Sequence, residues 1–207
     1  MITKQTVAVI GADRSMAAAL TKQLAKGNYK LLLYYNEPES LNGLLHEILQ
    51  QHPAADVEAI ACSVNACWEA DFIILDLPAG AAAEVADKIR TVANQKIVIS
   101  LDRSFYDSDR TAHVSDRTEV NGQQAGGAEL LQELLPHSKL VKVFSGSFGY
   151  QNHQSAAAEN QVMLLAGNHK DALKTVFGLF SIAGMEPVVA GALQASRRAE
   201  PQYSDAF

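Results

Sequence analysis

The sequence predicts an α/β fold in which helices cover both faces of a mostly parallel β-sheet. Short apolar segments rich in β-branched residues alternate along the chain with helix-forming segments. One apolar segment, residues 31–35, shows no polar alternation, as expected for a strand that is buried on both faces. A turn over residues 11–13 ends the first apolar segment and leads into a helix, which is the order of a βαβ unit.

Each element is predicted from a local pattern. Strands are expected where short apolar runs stop at turn residues, over residues 6–10, 31–35, 57–61, 72–75, 96–101, 140–144, 162–166 and 186–189. Helices are expected over residues 16–26, 40–51, 82–93, 128–135 and 170–183. Ser15 is expected to cap the first helix, and Gly27 with Asn28 to end it in left-handed geometry. The alternation indicates a doubly wound, Rossmann-type sheet in one domain that spans residues 1–207.

The charge and hydropathy of the sequence exclude several classes of binding partner. The 207 residues include 17 Lys and Arg against 23 Asp and Glu, a formal net charge of −6, which argues against nucleic acid and anionic membranes as partners. No apolar stretch approaches the ~20 residues of a membrane span, and no signal-peptide pattern precedes the first strand. We expect a cytoplasmic protein that binds small molecules, and a homodimer only because such dimers are the commonest oligomers.

The reactive side chains do not form a recognisable catalytic or metal-binding set. Cys62 and Cys67 are five residues apart with no further ligand pattern, so reduced packing thiols are expected. His46 and His52 do not share a helix face. No metal site is predicted.

Four segments are candidates for ligand contact. The segment Gly11-Ala12-Asp13-Arg14-Ser15-Met16 follows the first strand but keeps only the first glycine of the dinucleotide-binding motif. Asp13 would repel a pyrophosphate, whereas Arg14 can pair with it, and the sequence leaves that balance open. After the second strand, Tyr35-Asn36-Glu37 fits either a ribose contact or a plain turn, and it indicates neither NAD nor NADP clearly.

The other two segments follow later strands. Residues 102–124 lose apolar periodicity, which fits either a lid over a site or a mobile connection. Ser145-Gly146-Ser147-Phe148 can approach a planar ligand closely or act as a flexible connector.

The order of several short motifs resembles the deazaflavin (coenzyme factor 420)-dependent NADP oxidoreductases, which are small Rossmann proteins. The similar segments run nearly from end to end of the chain, at residues 9–16, 34–40, 70–78, 96–99, 126–136, 142–144 and 191–201. The resemblance implies hydride transfer between the nicotinamide of NADPH and a flat acceptor such as a flavin or deazaflavin, and the residues after the second strand leave NADH as the alternative. Because such transfer depends on proximity and orientation, no catalytic side chain is nominated.

The resemblance also implies roles for individual residues. The loop from Gly11 to Met16 would hold the pyrophosphate, and Tyr35 with Asn36 would border the adenosine ribose. Leu77 and Pro78 would line the nicotinamide side, and residues 145–148 would border the acceptor. The reduced glycine content of the loop keeps a second hypothesis open, a Rossmann-like binding or regulatory module without turnover.

Overall fold

The structure is a computed structural model that describes residues 4–77, 81–101, 119–120, 123–124, 127–145 and 162–199. The strands are β1 Gln5–Ile10, β2 Tyr29–Tyr34, β3 Asp56–Ala59, β4 Phe72–Leu75, β5 Ile97–Leu101, β6 Glu119–Val120, β7 Gln123–Gln124, β8 Lys139–Ser145, β9 Val162–Gly167 and β10 Glu186–Gly191. The helices are α1 Ser15–Leu24, α2 Leu41–Gln51, α3 Ser63–Glu69, α4 Ala82–Ile89, α5 Gly127–Leu134 and α6 Lys170–Ile182. Short 3-10 segments cover Pro38–Ser40 and Leu193–Ala199.

Eight of the strands form one sheet in the order β10-β9-β8-β5-β4-β1-β2-β3. Six neighbouring strands, in the order β8-β5-β4-β1-β2-β3, are parallel to one another. Strand β9 is antiparallel to β8 and parallel to β10. The six parallel strands have the Rossmann order, since the chain moves outward from β1 to β3 and then returns to β4 on the other side. The predicted α/β class and mostly parallel sheet are confirmed.

Helices pack on both faces of the sheet because its strands present apolar side chains to both sides. Val7 and Val9 face one apolar layer, which α1, α2 and α6 cover. Ala8 and Ile10 face the other layer, which α3, α4 and α5 cover. The doubly wound arrangement is therefore also confirmed.

The ends of α1 differ from the prediction. The helix begins at Ser15, and Arg14 is the N-cap residue without a side-chain cap hydrogen bond, so the expected Ser15 cap is wrong. The helix ends at Leu24, and among the described residues positive φ angles occur only at Gly11, Gly184, Gly191 and Gln95. The expected left-handed end at Gly27 and Asn28 is therefore wrong, and the Gly27 N–H instead donates to the Leu24 carbonyl at 2.9 Å.

Other differences are small. Helix α3 and the 3-10 segment Leu193–Ala199 were not predicted, and α4 stops at Ile89 rather than at residue 93. Within the expected irregular segment 102–124, β6 and β7 pair as a short antiparallel ladder, and the rest of that segment lies outside the described residues.

Candidate nucleotide-binding site

The site lies between β1 and β4, where the order in which the chain adds strands to the sheet changes direction. These two strands are parallel neighbours, with Ile10 in register with Leu75 at their carboxyl ends. The connection from β1 runs to β2, on the other side of β1 from β4. In open α/β sheets, ligands bind in the crevice outside such a switch point.

A glycine is required at the exit of β1. Gly11 has φ +86°, and a Cβ on this residue would lie 2.0 Å from the carbonyl oxygen of Asp76. Its N–H donates to the Tyr34 carbonyl at 2.9 Å, and the Ala12 N–H donates to the same oxygen at 3.3 Å. The turn is therefore held against the ends of both β2 and β4, and no larger residue fits there.

The first turn of α1 supplies the donors that an anion could use. The first N–H groups of a helix have no intrahelical acceptor, and the helix dipole favours negative charge there. Two of these donors already have acceptors, since the Arg14 N–H donates to the Gly11 carbonyl at 3.1 Å and the Ala17 N–H to Asp76 Oδ2 at 3.1 Å. The N–H groups of Ser15 and Met16, in the same turn, are the donors that a ligand phosphate could use.

Asp76 is a residue of the candidate site that was not predicted from the sequence. It follows β4 directly and is completely buried. Its Oδ1 accepts a hydrogen bond from Arg14 Nε at 3.1 Å, and its own N–H donates to the Ile10 carbonyl at 2.9 Å. The sequence pattern that identifies Asp76 is a carboxylate that immediately follows an apolar run, at the carboxyl end of a central parallel strand.

Asp13 lies between the Gly11 turn and the end of β2. Its Oδ1 is buried and has no hydrogen-bond partner in the part of the chain that the structure describes. The negative charge of Asp13 is the main cause that raises the pKa of the Tyr35 hydroxyl, followed by burial and by a hydrogen bond between the two side chains. The loop therefore brings Asp13 next to Tyr35, although 22 positions separate the two residues in the sequence.

The other predicted cofactor residues take different positions. Ala12 is completely buried, so it can contribute only its main chain. The side chain of Met16 packs partly against the apolar layer on the α1 side. Tyr34 donates to Asn36 Oδ1 at 2.9 Å, which holds the Asn36 side chain beside the end of β2. The structure thus brings together the residues expected for the pyrophosphate and ribose, and their contact with a cofactor stays a prediction.

The nicotinamide and acceptor residues are only partly described. Leu77 packs against the apolar layer on the α3 and α4 side of the sheet. The main chain of Ser145 ends β8, two residues beyond Val143, which is in register with Leu101 at the end of β5. Pro78 and residues 146–148 lie outside the described residues.

The two cysteines have different environments. Both are free thiols, but Cys67 is buried on the inner face of α3 and Cys62 is exposed, so only Cys67 is the expected packing thiol. Burial raises the pKa of Cys67 to about 12, which makes it a poor nucleophile. Within the described ranges, no group of three His, Cys, Asp or Glu side chains could hold a metal ion. None of the helices in these ranges is long and apolar enough to cross a membrane.

A cavity of about 650 Å³ lies at the opposite edge of the sheet. Its lining includes Gln5 and Tyr29, which begin β1 and β2, and Ile182, which ends α6. Two of its charged residues already have partners: Lys4 pairs with Asp56 at 2.9 Å, and Asp71 Oδ2 accepts from the Thr6 N–H at 2.8 Å. Lys4 and Asp71 therefore stabilise the amino-terminal ends of the strands. The candidate site remains at the carboxyl edge of the sheet.

Comparisons with known proteins give the same fold. Residues 6–102 match the family model described as NADP oxidoreductase coenzyme F420-dependent. A comparison with curated proteins gave no match.

Solved structures with similar folds include a hypothetical protein from Sinorhizobium meliloti, at 21% identity and TM-score 0.65, over 97% of this chain and 91% of that one. A candidate F420-dependent NADP reductase from Arthrobacter sp. FB24 is 16% identical, with TM-score 0.65 over 95% and 89% of the two chains. A pyrroline-5-carboxylate reductase from Coxiella burnetii is 12% identical, with TM-score 0.66 over 95% of this chain and 63% of that one. The resemblance predicted from the sequence is thus confirmed over residues 6–102, which match the model of the coenzyme F420-dependent NADP oxidoreductase family.

Proposed function

We propose that this protein is an NAD(P)-dependent oxidoreductase that binds its dinucleotide across the carboxyl ends of β1 and β4. The observation that carries the proposal is the Gly11 turn, which has φ +86° and leads into the first turn of α1 at the switch point of the sheet. The family match over residues 6–102 supports the same assignment, because this segment contains both strands and the turn.

The residues present fit a bound dinucleotide. A Cβ on Gly11 would lie 2.0 Å from the Asp76 carbonyl oxygen, so only glycine lets the turn close against the end of β4 and lead directly into α1. The Ser15 and Met16 N–H groups would hold the pyrophosphate, and Arg14 would add a charged donor at its side. Tyr35 and Asn36 would border the adenosine ribose, and Leu77 with Pro78 would lie on the nicotinamide side.

When bound, the nicotinamide supplies or accepts a hydride, and the protein supplies position and exclusion of water. A planar acceptor, such as a flavin or deazaflavin, would lie beside the carboxyl ends of β5 and β8, where residues 145–148 follow the strand. Direct transfer between two stacked rings needs no nucleophile from the chain.

The test is a reduction assay at 340 nm with the full chain, NADH or NADPH, and a flavin or deazaflavin under anaerobic conditions. The expected result is oxidation of the nicotinamide that depends on both the protein and the acceptor. Gly11→Ala is expected to abolish this rate. Gly43→Ala, on the exposed side of α2 with open space around it, is the matched control and is expected to retain the rate.

A second candidate function is a binding module without turnover. The observation that favours it is the hydrogen bond from the Ala17 N–H at the start of α1 to the carboxylate of Asp76. This donor is therefore used by the protein itself and not by a ligand phosphate. Binding of a dinucleotide without any reduction of flavin or deazaflavin would support this function over the first.

We further propose that the protein acts in the cytoplasm as a homodimer on small-molecule partners. The formal net charge of −6 supports small molecules rather than nucleic acid as ligands. Sedimentation of the purified chain tests the dimer, and a single species at 22 kDa would contradict it.

A further inference from the structure

The two edges of the main sheet differ in their exposed side chains. In the described part of the chain, β3 is the last strand on one side of the sheet and β10 is the last on the other. The exposed residues of β3 include Asp56 and Glu58, and charges of this kind discourage pairing with a further strand. Three consecutive residues of β10, Val188, Val189 and Ala190, are exposed, and none of them is charged. The β10 edge therefore lacks the protection by charge that the β3 edge has.

The apolar side chains of β10 are exposed on both faces of the sheet. Successive residues of a strand point to opposite faces. Val189 is in register with Leu165, which belongs to the apolar layer that α6 covers, so Val189 points to that face. Val188 is in register with Leu164 and points to the other face. Val188 is 42% exposed and Val189 is 49% exposed, so both faces of this edge are open.

One flank of α6 extends the apolar surface. Ile182 lines the cavity beside Gln5 and Tyr29, toward the middle of the sheet. Phe177 lies five residues earlier, about 140° away around the helix axis, and is therefore on the flank nearer β10. Its side chain is also exposed. Phe177 and Val189 thus place two large apolar side chains on the same face of the β10 edge.

The chemistry of this edge selects the kind of partner that fits it. An edge strand offers main-chain N–H and carbonyl groups, which another strand can pair with. Because Val188 and Val189 are exposed on opposite faces, a complementary strand must be apolar on both faces and uncharged where it meets them. Strand β10 itself has these properties, whereas β3 carries Asp56 and Glu58. Among the edges that the structure describes, β10 is therefore best complemented by β10 of a second copy.

The position of the one charged residue of β10 is compatible with self-pairing. In a two-fold dimer, β10 meets its copy in antiparallel orientation. With the axis at Val188, Glu186 lies opposite Ala190 of the copy, and with the axis at Val189 it lies beyond the end of the copy's strand. Neither arrangement places two like charges opposite each other, which would be destabilising.

Side-chain packing would supply most of the contact. Pro187 has no N–H to donate, and the register with β9 shifts between Val189 and Gly191. Both features limit the main-chain hydrogen bonds that β10 can form with another strand. They do not reduce the apolar contact of Val188, Val189 and Phe177 with the same residues of a second copy.

We propose that β10 and the adjoining flank of α6 form the interface of a two-fold dimer of this chain. This inference rests on the homodimer proposed above, for which it assigns the surface. The dinucleotide site lies at other strands of the sheet, so binding of NADH or NADPH does not depend on this interface.

The first test is sedimentation velocity of the full chain at a series of concentrations. We expect a species of twice the 22.3 kDa chain mass. Val188→Lys and Val189→Lys should each raise the dimer dissociation constant at least about tenfold, because every dimer would bury two additional unpaired charges. Leu49→Lys is the matched control, since Leu49 lies on α2 and is also 42% exposed, and it should leave the dissociation constant unchanged.

Cross-linking tests the same interface without adding a charge. In a Cys62→Ser background, which removes the exposed thiol, Val188→Cys or Val189→Cys should form a disulfide-linked dimer under mild oxidation. The two-fold axis would bring the new thiol next to its copy at one of these positions. Leu49→Cys in the same background is the control and should stay unlinked.

The outcomes separate the interface from the dimer itself. A wild-type chain that remains a monomer would overturn both proposals, and would leave the edge to a different protein. A wild-type dimer that both lysine variants leave intact, or that neither cysteine variant cross-links, would overturn the β10 interface alone. Circular dichroism of each variant confirms that the fold is retained.

Discussion

Arg14 and Asp76 form an ion pair, Nε to Oδ1 at 3.1 Å, that joins the start of α1 to the end of β4. The carboxylate is fully buried, whereas the Arg14 side chain is 21% exposed. The other carboxylate oxygen accepts from the Ala17 N–H at 3.1 Å, so Asp76 satisfies a helix-end donor that Ser15 was expected to satisfy. One acidic residue thus fixes the geometry between the two strands at the switch point and the helix that faces the proposed ligand.

Replacement of Asp76 tests this structural role. Asp76→Ala is expected to lower the free energy of unfolding by about 2–3 kcal/mol, because it removes the acceptor of a buried N–H and leaves Arg14 without its partner. Urea denaturation monitored by circular dichroism measures the change. Asp87→Ala on exposed α4 should change stability by less than about 0.5 kcal/mol. Equal effects of the two substitutions would contradict the role of Asp76.

A double-mutant cycle separates the ion pair from the other contacts of Asp76. We expect Arg14→Gln and Asp76→Asn to show a coupling energy of about 1–2 kcal/mol, because their side chains are in direct contact and one of them is buried. The measurement is the unfolding free energy of the wild type, the two single variants and the double variant. Strict additivity would show that the contact contributes nothing to stability.

The substitutions Gly11→Ala and Gly43→Ala should change the stability of the protein in opposite directions. Gly11→Ala is expected to cost more than about 3 kcal/mol, because the new Cβ would lie 2.0 Å from the Asp76 carbonyl oxygen at a φ of +86°. Gly43→Ala is expected to stabilise the protein by about 0.5–1 kcal/mol, since Gly43 lies within α2 with no atom near its Cβ position. Thermal unfolding of both variants measures the difference, and a tolerated alanine at position 11 would contradict the geometry of the turn.

The stability of the protein should fall at alkaline pH through Cys67. Burial raises the pKa of this thiol from 9.0 to about 12, so the unfolded chain loses the proton at lower pH than the folded one. The resulting stabilisation is fully present below pH 9 and is lost as the pH rises toward 12. The difference in stability between wild type and Cys67→Ala should therefore shrink across this range. A constant difference would contradict the burial of the thiol.

Thiol labelling gives an independent check on the same residue. At pH 8 the exposed Cys62 should react rapidly with a disulfide reagent, and Cys67 should react only after denaturant is added. The variant Cys62→Ser should then show no rapid reaction. Rapid labelling of two thiols in the folded wild type would contradict this assignment.

The sequence predicted the sheet well because its central strands are apolar on both faces. Residues 72–75 form β4 as predicted, since a run of Phe, Ile, Ile and Leu next to turn residues leaves little alternative. Helix α3 was missed because it is short and contains Val, Asn, Cys and Trp, which are weak helix formers. Its buried face, with Ala66 and Cys67 against the sheet, is a tertiary contact and provides the stability that local propensity does not.

The site was less predictable than the fold because its contacts join distant parts of the chain. Gly11 was found from the turn after β1, but the reason for it is the Asp76 carbonyl, 65 positions further on. The neighbourhood of Asp13 and Tyr35 depends on the pairing of β1 with β2, which brings both loops to one edge. Local patterns place each residue on its element, and only the strand order shows which of them meet.

The measurement that tests the central claim most directly is hydrogen exchange of the full chain with and without saturating NADH. Binding at the proposed site should slow exchange in peptides that contain residues 11–18 and 34–41, because the ligand would cover the first turn of α1 and the end of β2. Peptides that line the cavity at the opposite edge, around Tyr29 and Ile182, should be unchanged. Protection confined to that cavity, or no protection anywhere, would contradict a dinucleotide site at the carboxyl ends of β1 and β4.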